Sequence, residues 1–196
     1  MDELLQTAEG KKELMAIKAG DDDSRVDYQT ESFAGCTACV ALLTKTQLIC
    51  ANAGDSRCVL LSKGQAIALS EDHKPDLESE RTRIQKAGGY VVDGRINGNL
   101  NLSRAIGDLE YKKNTDMKVH EQLIIAVPEI KQRTLTSDDE MLVLGCDGIW
   151  ECLTNQQICD FLQEKIKEKK AVGPAVEALL DKILANDTSS NVFFLL

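Results

Sequence analysis

Apolar residues follow two patterns along this chain: short runs and alternations over the first two-thirds, and helical spacings over the last third. The stretch GCTACVALLTK (35–45) is small and β-branched, then apolar, which predicts a buried strand. QLICANAGDSRCVLL (47–61) reads as two strand-like halves with Gly54-Asp55-Ser56 between them as a hairpin turn. Ser62-Lys63-Gly64-Gln65 is a second turn, and QAIALS (65–70) returns from it. The expectation is an antiparallel meander with Asp55 at a hairpin tip, where the small neighbours Ala53 and Gly54 let a backbone or ligand come close. Strands are predicted to resume at Ile124 with IIAVPEI and IKQRTLT, and the acidic turn 137–140 leads into residues 141–151, MLVLGCDGIWE. The run Met141, Leu142, Val143, Leu144 fits a strand buried on both faces. Asp147 follows where that strand ends, and a carboxylate there is costly to bury without a partner. A hard cation such as Mg2+ or Mn2+ is one such partner. Asp-Gly is also a common turn dipeptide, and taken alone the segment favours the turn.

Helical spacing appears elsewhere. Leu4, Leu5, Leu14 and Ile17 predict a helix over residues 1–18 with Gly10 as its weak point, and AGDDDSRVDYQTE (19–31) reads as an acidic linker. Asp76 is placed to cap a helix with Leu77, Arg81 and Ile84 at helical spacing, stopped by Gly88. His73, just before it, is read as structural rather than as a general base. GRINGNLNLSRAIGDLEY (94–111) predicts a shaped loop with a short helical piece, and residues 112–122 a polar surface excursion. Thr154 and Gln157 form a capping box for a helix whose apolar face is Ile158, Phe161, Leu162 and Ile166. Gly173-Pro174 opens another, with Val176, Leu179, Leu180, Ile183 and Leu184 inward. VFFLL (192–196) is a last short strand. Strands first and helices last predict an α+β fold of antiparallel sheets and packed helices.

Composition narrows the function classes. With 196 residues, 43% of them apolar, the chain supports one domain with a sizeable core. A net charge of −9 argues against non-specific binding to nucleic acid or to anionic membranes. No apolar run reaches membrane-spanning length, and no signal-peptide pattern is visible. The seven cysteines sit mostly in apolar strand-like runs and are odd in number, the pattern of reduced core residues in an intracellular protein. Cys36 and Cys39 form a lone CxxC whose members face opposite ways in a strand, so zinc is not expected.

Seven motifs occur in one order: GCTA (35–38), AGDSR (53–57), DHKP (72–75), RIQKAGG (83–89), LNLSRAIGD (100–108), VPEI (127–130) and CDGIWE (146–151). Together they resemble the metal-dependent protein serine/threonine phosphatases of the protein phosphatase 2C family. GRINGNLNLSRAIGD and the acidic segment before GCTA are most similar to its gamma-type members, which are largely nuclear. The resemblance implies a β-sandwich of two antiparallel sheets flanked by helices, with a metal site at one end. It also implies an incomplete domain: residues 1–31 an N-terminal helix and acidic linker, and residues 32–196 a partial catalytic domain. In the family, two Mn2+ or Mg2+ ions activate a bridging water for in-line attack on phosphoserine or phosphothreonine of phosphoprotein substrates.

Matched to the family's motifs, Asp147 is a ligand of the metal pair, and Asp55, Asp147 and Glu151 correspond to a further, weaker site. Many members carry Asp where this chain has Glu151, so weaker affinity is expected there. Residues 75–97 match the flap that helps select substrates. The family's opening Arg-containing stretch, Glu-Asp pair and DGHGG motif do not occur in this chain, so no catalytic residue is assigned. The Asp-Asn pair before the family's last strand is replaced by Ser190-Asn191; Asp187 aligns upstream of it and is not expected to bind metal. The resemblance thus implies a metal-dependent protein phosphatase in an incomplete form, expected to be a monomer in the nucleus or cytoplasm. The alternative is a catalytically inactive fragment or pseudophosphatase that binds phosphoproteins.

Overall fold

The computed structural model describes residues 1–19, 34–169, 171–185 and 194–195. In chain order, the first elements are α1 (Asp2–Gln6), α2 (Ala8–Ala19), β1 (Gly35–Cys36), β2 (Ala38–Leu43), β3 (Gln47–Ala53), β4 (Arg57–Ser62) and β5 (Gln65–Ala68). Then come α3 (Glu78–Lys86), β6 (Val91–Val92), β7 (Arg95–Ile96), β8 (Ile106–Gly107), and two 3-10 turns at Leu109–Lys112 and Val119–Glu121. The last are β9 (Glu129–Thr134), β10 (Asp139–Gly145), α4 (Asp147–Trp150), α5 (Asn155–Lys169), α6 (Val172–Leu184) and β11 (Phe194–Leu195). They form two compact units, Met1–Thr37 with Lys74–Val127, and Ala38–His73 with Pro128–Leu196.

The second unit is an antiparallel sandwich. One sheet has the strand order β2-β3-β9 and the other β11-β10-β4-β5. Between them lies an apolar layer of Leu48, Cys50, Cys58, Leu60 and Leu69, with Cys39, Ala41, Ile67, Leu142 and Leu144 at its margin. Alternate residues of β4 and β10 face the other way: Val59, Leu61 and Val143 pack with Ile149, Trp150, Ile158, Leu162, Leu179 and Ile183 of the helices. Both strands are thus covered on both faces, which explains the continuous apolar runs. The Thr154 and Gln157 box forms as expected. Thr154 N–H donates to Gln157 Oε1 at 2.9 Å, and Gln157 N–H donates to Thr154 Oγ1 at 3.2 Å. In α6 the buried stripe is Ala175, Leu179 and Ile183, spaced by four. Leu184 lies one residue, about 100°, off that stripe and is exposed.

Two expected features differ. β3 and β4 belong to different sheets, so residues 54–56 are a crossing from one sheet to the other, not a hairpin tip. The acidic turn leads into β10 as expected and is itself a crossing, since β9 and β10 also lie in different sheets. Strand structure resumes at Glu129, not at Ile124. Ile124 instead joins the core of the first unit, and Ile125 makes an isolated parallel bridge with Arg104.

That first unit packs Ile84, Ile96, Ala105 and Ile124 together. Its N-terminal helix is split at Thr7, whose hydroxyl donates to Leu4 O at 2.7 Å and accepts the Gly10 N–H at 3.0 Å. Thr7 therefore caps α2, and a Cβ at Gly10 would stand 2.0 Å from Leu4 O. Leu77, not Asp76, occupies the cap position of α3, and the Asp76 carboxylate is paired with Arg81 instead. The helix stops at Gly88, and Gly89 N–H donates back to Ile84 O at 3.0 Å. Residues 112–122 are anchored at both ends. Lys112 Nζ contacts Asp2 Oδ2 at 2.6 Å and Ala105 O at 2.7 Å, and buried Gln122 donates to Asn114 O at 2.7 Å.

Among the described residues, one face of the three-stranded sheet is largely apolar and exposed. Val40, Ala51 and Ile130 form one cross-strand rung, and Val40, Leu42 and Ile130 are 57–64% exposed. Among the described residues β2 is also an edge strand carrying no charge. Such an edge is a template for self-association. The chain is expected to bind an apolar dye and to scatter light increasingly with concentration. Leu42→Lys should suppress both while changing stability by no more than about 0.5 kcal/mol. Scattering that Leu42→Lys leaves unchanged would place the sticky surface elsewhere.

Candidate functional site

The end of the sandwich where β3 crosses to β4 collects the acidic residues singled out above. In the register of β10 with β4, Gly145 lies opposite Arg57. Asp55 precedes Arg57 by two residues and Asp147 follows Gly145 by two, so both leave the same end of one sheet. Asp55 is buried and Asp147 partly buried; Glu151 is exposed, at the C-terminal cap of α4, where its N–H donates to Asp147 O at 3.0 Å. Asp147 therefore opens a single helical turn rather than a hairpin.

The crossing is held by polar groups that few sequence signals announce. Gly54 has φ 118°, a conformation that favours glycine. Its N–H donates to His73 Nδ1 at 3.2 Å, and its carbonyl accepts the His73 N–H at 3.0 Å and Asn52 Nδ2 at 3.0 Å. Asn52 Nδ2 also donates to Glu71 O at 3.1 Å, whereas Asn52 Oδ1 is a buried acceptor without a hydrogen-bond partner among the described residues. His73 is buried, with Nε2 3.8 Å from Glu129 Oε2. Its place is that of a pin in the sheet crossing, the structural role read from the sequence.

Arg57 ties the crossing to the helices. Its Nε and Nη2 donate to the two oxygens of Asp72 at 2.9 and 2.8 Å, and Nη1 donates to Asn155 Oδ1 at 2.7 Å. The guanidinium also stands over the Trp150 ring, 5.3 Å from its centroid. Trp150 in turn donates Nε1–H to Gly145 O at 2.9 Å. Neither Arg57 nor Asp72 was assigned a role from sequence, although each lies inside a motif, AGDSR and DHKP.

Carboxylate oxygens suit hard divalent ions. Among the described residues, however, no three His, Cys, Asp or Glu side chains are grouped so as to hold a metal ion. Asp55, Asp147 and Glu151 thus share a region without forming a complete site by themselves. Asp187, Ser190 and Asn191 lie outside the described residues.

The segment matching a flap belongs to the first unit. It consists of α3, the Gly88-Gly89 stop and the β6–β7 hairpin, whose turn residues Asp93 and Gly94 both have positive φ, 50° and 70°. A buried carboxylate fixes α3: Glu80 Oε2 accepts Arg83 Nη1 at 2.6 Å and Ser103 Oγ at 2.7 Å, and Oε1 accepts Arg104 Nη2 at 2.6 Å. A cleft of about 460 Å³ beside α3 is lined by Ser79, Arg83, Lys86, Asp116 and Glu121 among others.

Comparison with known proteins places these features in one family. The model of the family described as "Protein phosphatase 2C" matches residues 2–192. The chain is 50% identical over 194 residues to "Probable protein phosphatase 2C 4" of Paramecium tetraurelia, covering 97% of this chain and 62% of that protein. It is 53% identical over 154 residues to "Probable protein phosphatase 2C 11" of Oryza sativa subsp. japonica, covering 79% of this chain and 42% of the relative. Among solved structures, a phosphatase from a pathogenic strain of Toxoplasma gondii is similar with a TM-score of 0.70 and 33% identity, over 74% of this chain and 46% of that one. The chain spans less than two-thirds of the length of these curated relatives. With a family match running over nearly its whole length and an antiparallel sandwich flanked by helices, the chain belongs to the protein phosphatase 2C family.

Proposed function

We propose that the protein is a serine/threonine phosphatase that uses Mn2+ or Mg2+ to release phosphate from phosphoserine and phosphothreonine of phosphoprotein substrates. In this reading Asp55, Asp147 and Glu151 are the carboxylates that the chain brings to the metal site. The observation that carries it is the register of β10 with β4, which sends Asp55 and Asp147 out of the same end of one sheet. Two negative groups delivered together by a rigid sheet attract a divalent cation more strongly than either alone.

A second reading has its own observation. Among the described residues three metal-binding side chains do not group. The alternative reading is a chain which binds phosphoproteins without hydrolysing them. One experiment separates the two. The 196-residue chain is assayed on a phosphothreonine peptide with Mn2+, beside a longer family member, while Mn2+ binding is followed by calorimetry. The expected result is Mn2+-dependent turnover well below that of the longer family member, abolished by a chelator and by Asp147→Ala. Mn2+ affinity should fall in that variant by at least the roughly tenfold that even outer-shell changes cause. Peptide binding without turnover would establish the second reading; Mn2+ binding that ignores Asp147→Ala would remove Asp147 from the site.

A further inference from the structure

We propose that Cys39, Cys50 and Cys58 form an oxidant-sensitive site between the two sheets of the sandwich, where hydrogen peroxide joins Cys50 to Cys39 as a disulfide. This inference stands independently of the phosphatase reading.

All seven cysteines are free thiols, but three of them share one place. The register of β2 with β3 sets Cys39 opposite Asn52 and Ala41 opposite Cys50. Cys39 and Cys50 are therefore diagonal neighbours on one face of the sheet. That face is the inner one, where Cys50 is buried in the apolar layer and Cys39 packs at its margin. Cys58 enters the same layer from β4 of the opposite sheet. The three thiols therefore meet in one layer, close enough to act on one another's protonation. Such a triangle leaves one sulfur as the acceptor of two S–H groups, which is the arrangement that stabilises a thiolate.

Cys50 is that acceptor. The hydrogen bonds from Cys39 and Cys58 outweigh its burial and hold its thiol below the usual range, with the charge of Lys131 assisting. Lys131 stands opposite Cys50 in the register of β3 with β9. Bonding to Cys50 pushes the Cys39 thiol up, and Cys58 is also pushed up. The thiol most readily deprotonated thus lies beside two others in one core.

Cys39 is the partner because its strand can move. Among the described residues β2 pairs only with β3, whereas β4, carrying Cys58, is flanked by β10 and β5. Diagonal neighbours in a sheet stand about 7–8 Å apart, just beyond the usual disulfide span. Closing that gap needs a small displacement, which an edge strand supplies more cheaply than a central one. Cys39 is also only partly buried, whereas Cys50 and Cys58 are fully buried, so the opening of β2 is the route by which peroxide enters.

The chemistry balances with peroxide as the oxidant. The Cys50 thiolate attacks one peroxide oxygen; an S–O bond forms, the O–O bond breaks, and hydroxide leaves. That hydroxide takes the Cys39 proton and becomes water. The Cys39 thiolate then attacks the Cys50 sulfur, displacing hydroxide, which is protonated from solvent. Two electrons pass from the sulfur pair to peroxide, giving one disulfide and two waters.

The test uses the full native chain with a small excess of hydrogen peroxide, then alkylation, tryptic digestion and mass spectrometry. Lys45 and Arg57 divide the three cysteines among separate peptides. The expected product links residues 26–45 to 46–57 through Cys39 and Cys50, lowers the thiol count by two, and disappears with dithiothreitol. Cys39→Ser, shown by circular dichroism to be folded, should give no link but a Cys50 sulfenic acid trapped by dimedone. The same treatment in urea should lose the selectivity. The proposal is overturned if Cys36, Cys146 or Cys152 oxidises first with Cys39 and Cys50 still reduced. It is overturned equally if Cys50 pairs with Cys58, or if native and unfolded chains give the same products.

Discussion

Replacing Glu80 by alanine is expected to cost the unit built from Met1–Thr37 and Lys74–Val127 about 3–5 kcal/mol of stability. Glu80 is 1% exposed and is the common acceptor for Arg83, Arg104 and Ser103. Removing it strands two guanidinium groups that are themselves largely buried, which is costlier than the gross strength of the pair suggests. The consequences spread, because Arg83 also donates to Ser103 O and Gln122 O, and Arg104 to Val127 O. One carboxylate therefore ties α3 to both the 103–104 and 122–127 segments. Burial pushes the Glu80 carboxyl up, but the hydrogen bonds from Arg104 and Ser103 and the charge of Arg83 outweigh it and hold it at about 2. A carboxyl held below its unfolded value of about 4.3 contributes stability that is complete above that pH. The contribution is lost as pH falls towards 2. Hydrogen exchange of the α3 peptides across pH 2–7 should show this loss in the parent and not in Glu80→Gln. A cost of Glu80→Ala below about 1 kcal/mol would mean that the two arginines find other partners.

What the sequence disclosed and what it concealed differ in range. The capping box at Thr154, the helix stop at Gly88 and the two-faced burial of β10 were readable because each depends on residues within one turn or one strand. The crossing at residues 54–56 has the local pattern of a hairpin, since Gly-Asp-Ser between two apolar segments gives the same signal in both cases. What decides is pairing at a distance: Cys58 finds Leu144, 86 residues on, rather than a neighbour on β3. Asp76 shows the same limit on a smaller scale. It has the chemistry of a cap, but its carboxylate is paired with Arg81 instead. Asp55 and Asp147 were legible as candidates because acids at the ends of apolar strands are conspicuous. The Arg57, Asp72 and Asn155 network around them was not, because its members are separated by 15 and 98 residues.

That network supports the last expected result. Arg57→Ala should destabilise the sandwich unit by about 2–4 kcal/mol and shift the fluorescence of Trp150, the chain's single tryptophan, to longer wavelength. The guanidinium spends its fork on Asp72 and its remaining nitrogen on Asn155, at the start of α5, while its flat face lies against Trp150. Hydrogen bonds to charged groups contribute about 1.5–3 kcal/mol each, and a cation over an indole about 0.5–1 kcal/mol at a partly exposed site. Side-chain exposures of 25% for Arg57 and 18% for Asp72 leave the pair only partly screened. Alanine therefore removes the cover of the indole and leaves Asp72 without its fork. Lysine should recover less than half of the loss, because an ammonium cannot meet two carboxylate oxygens and an amide in one plane. Arg57 sits between the crossing that carries Asp55 and the helical turn that carries Asp147, so in the proposed metal site it would position both. Mn2+ affinity measured by calorimetry should accordingly weaken in Arg57→Ala although all three carboxylates remain, and recover little in Arg57→Lys. An unfolding midpoint and Trp150 emission indistinguishable from the parent would show that α4 and the crossing hold their places without this arginine.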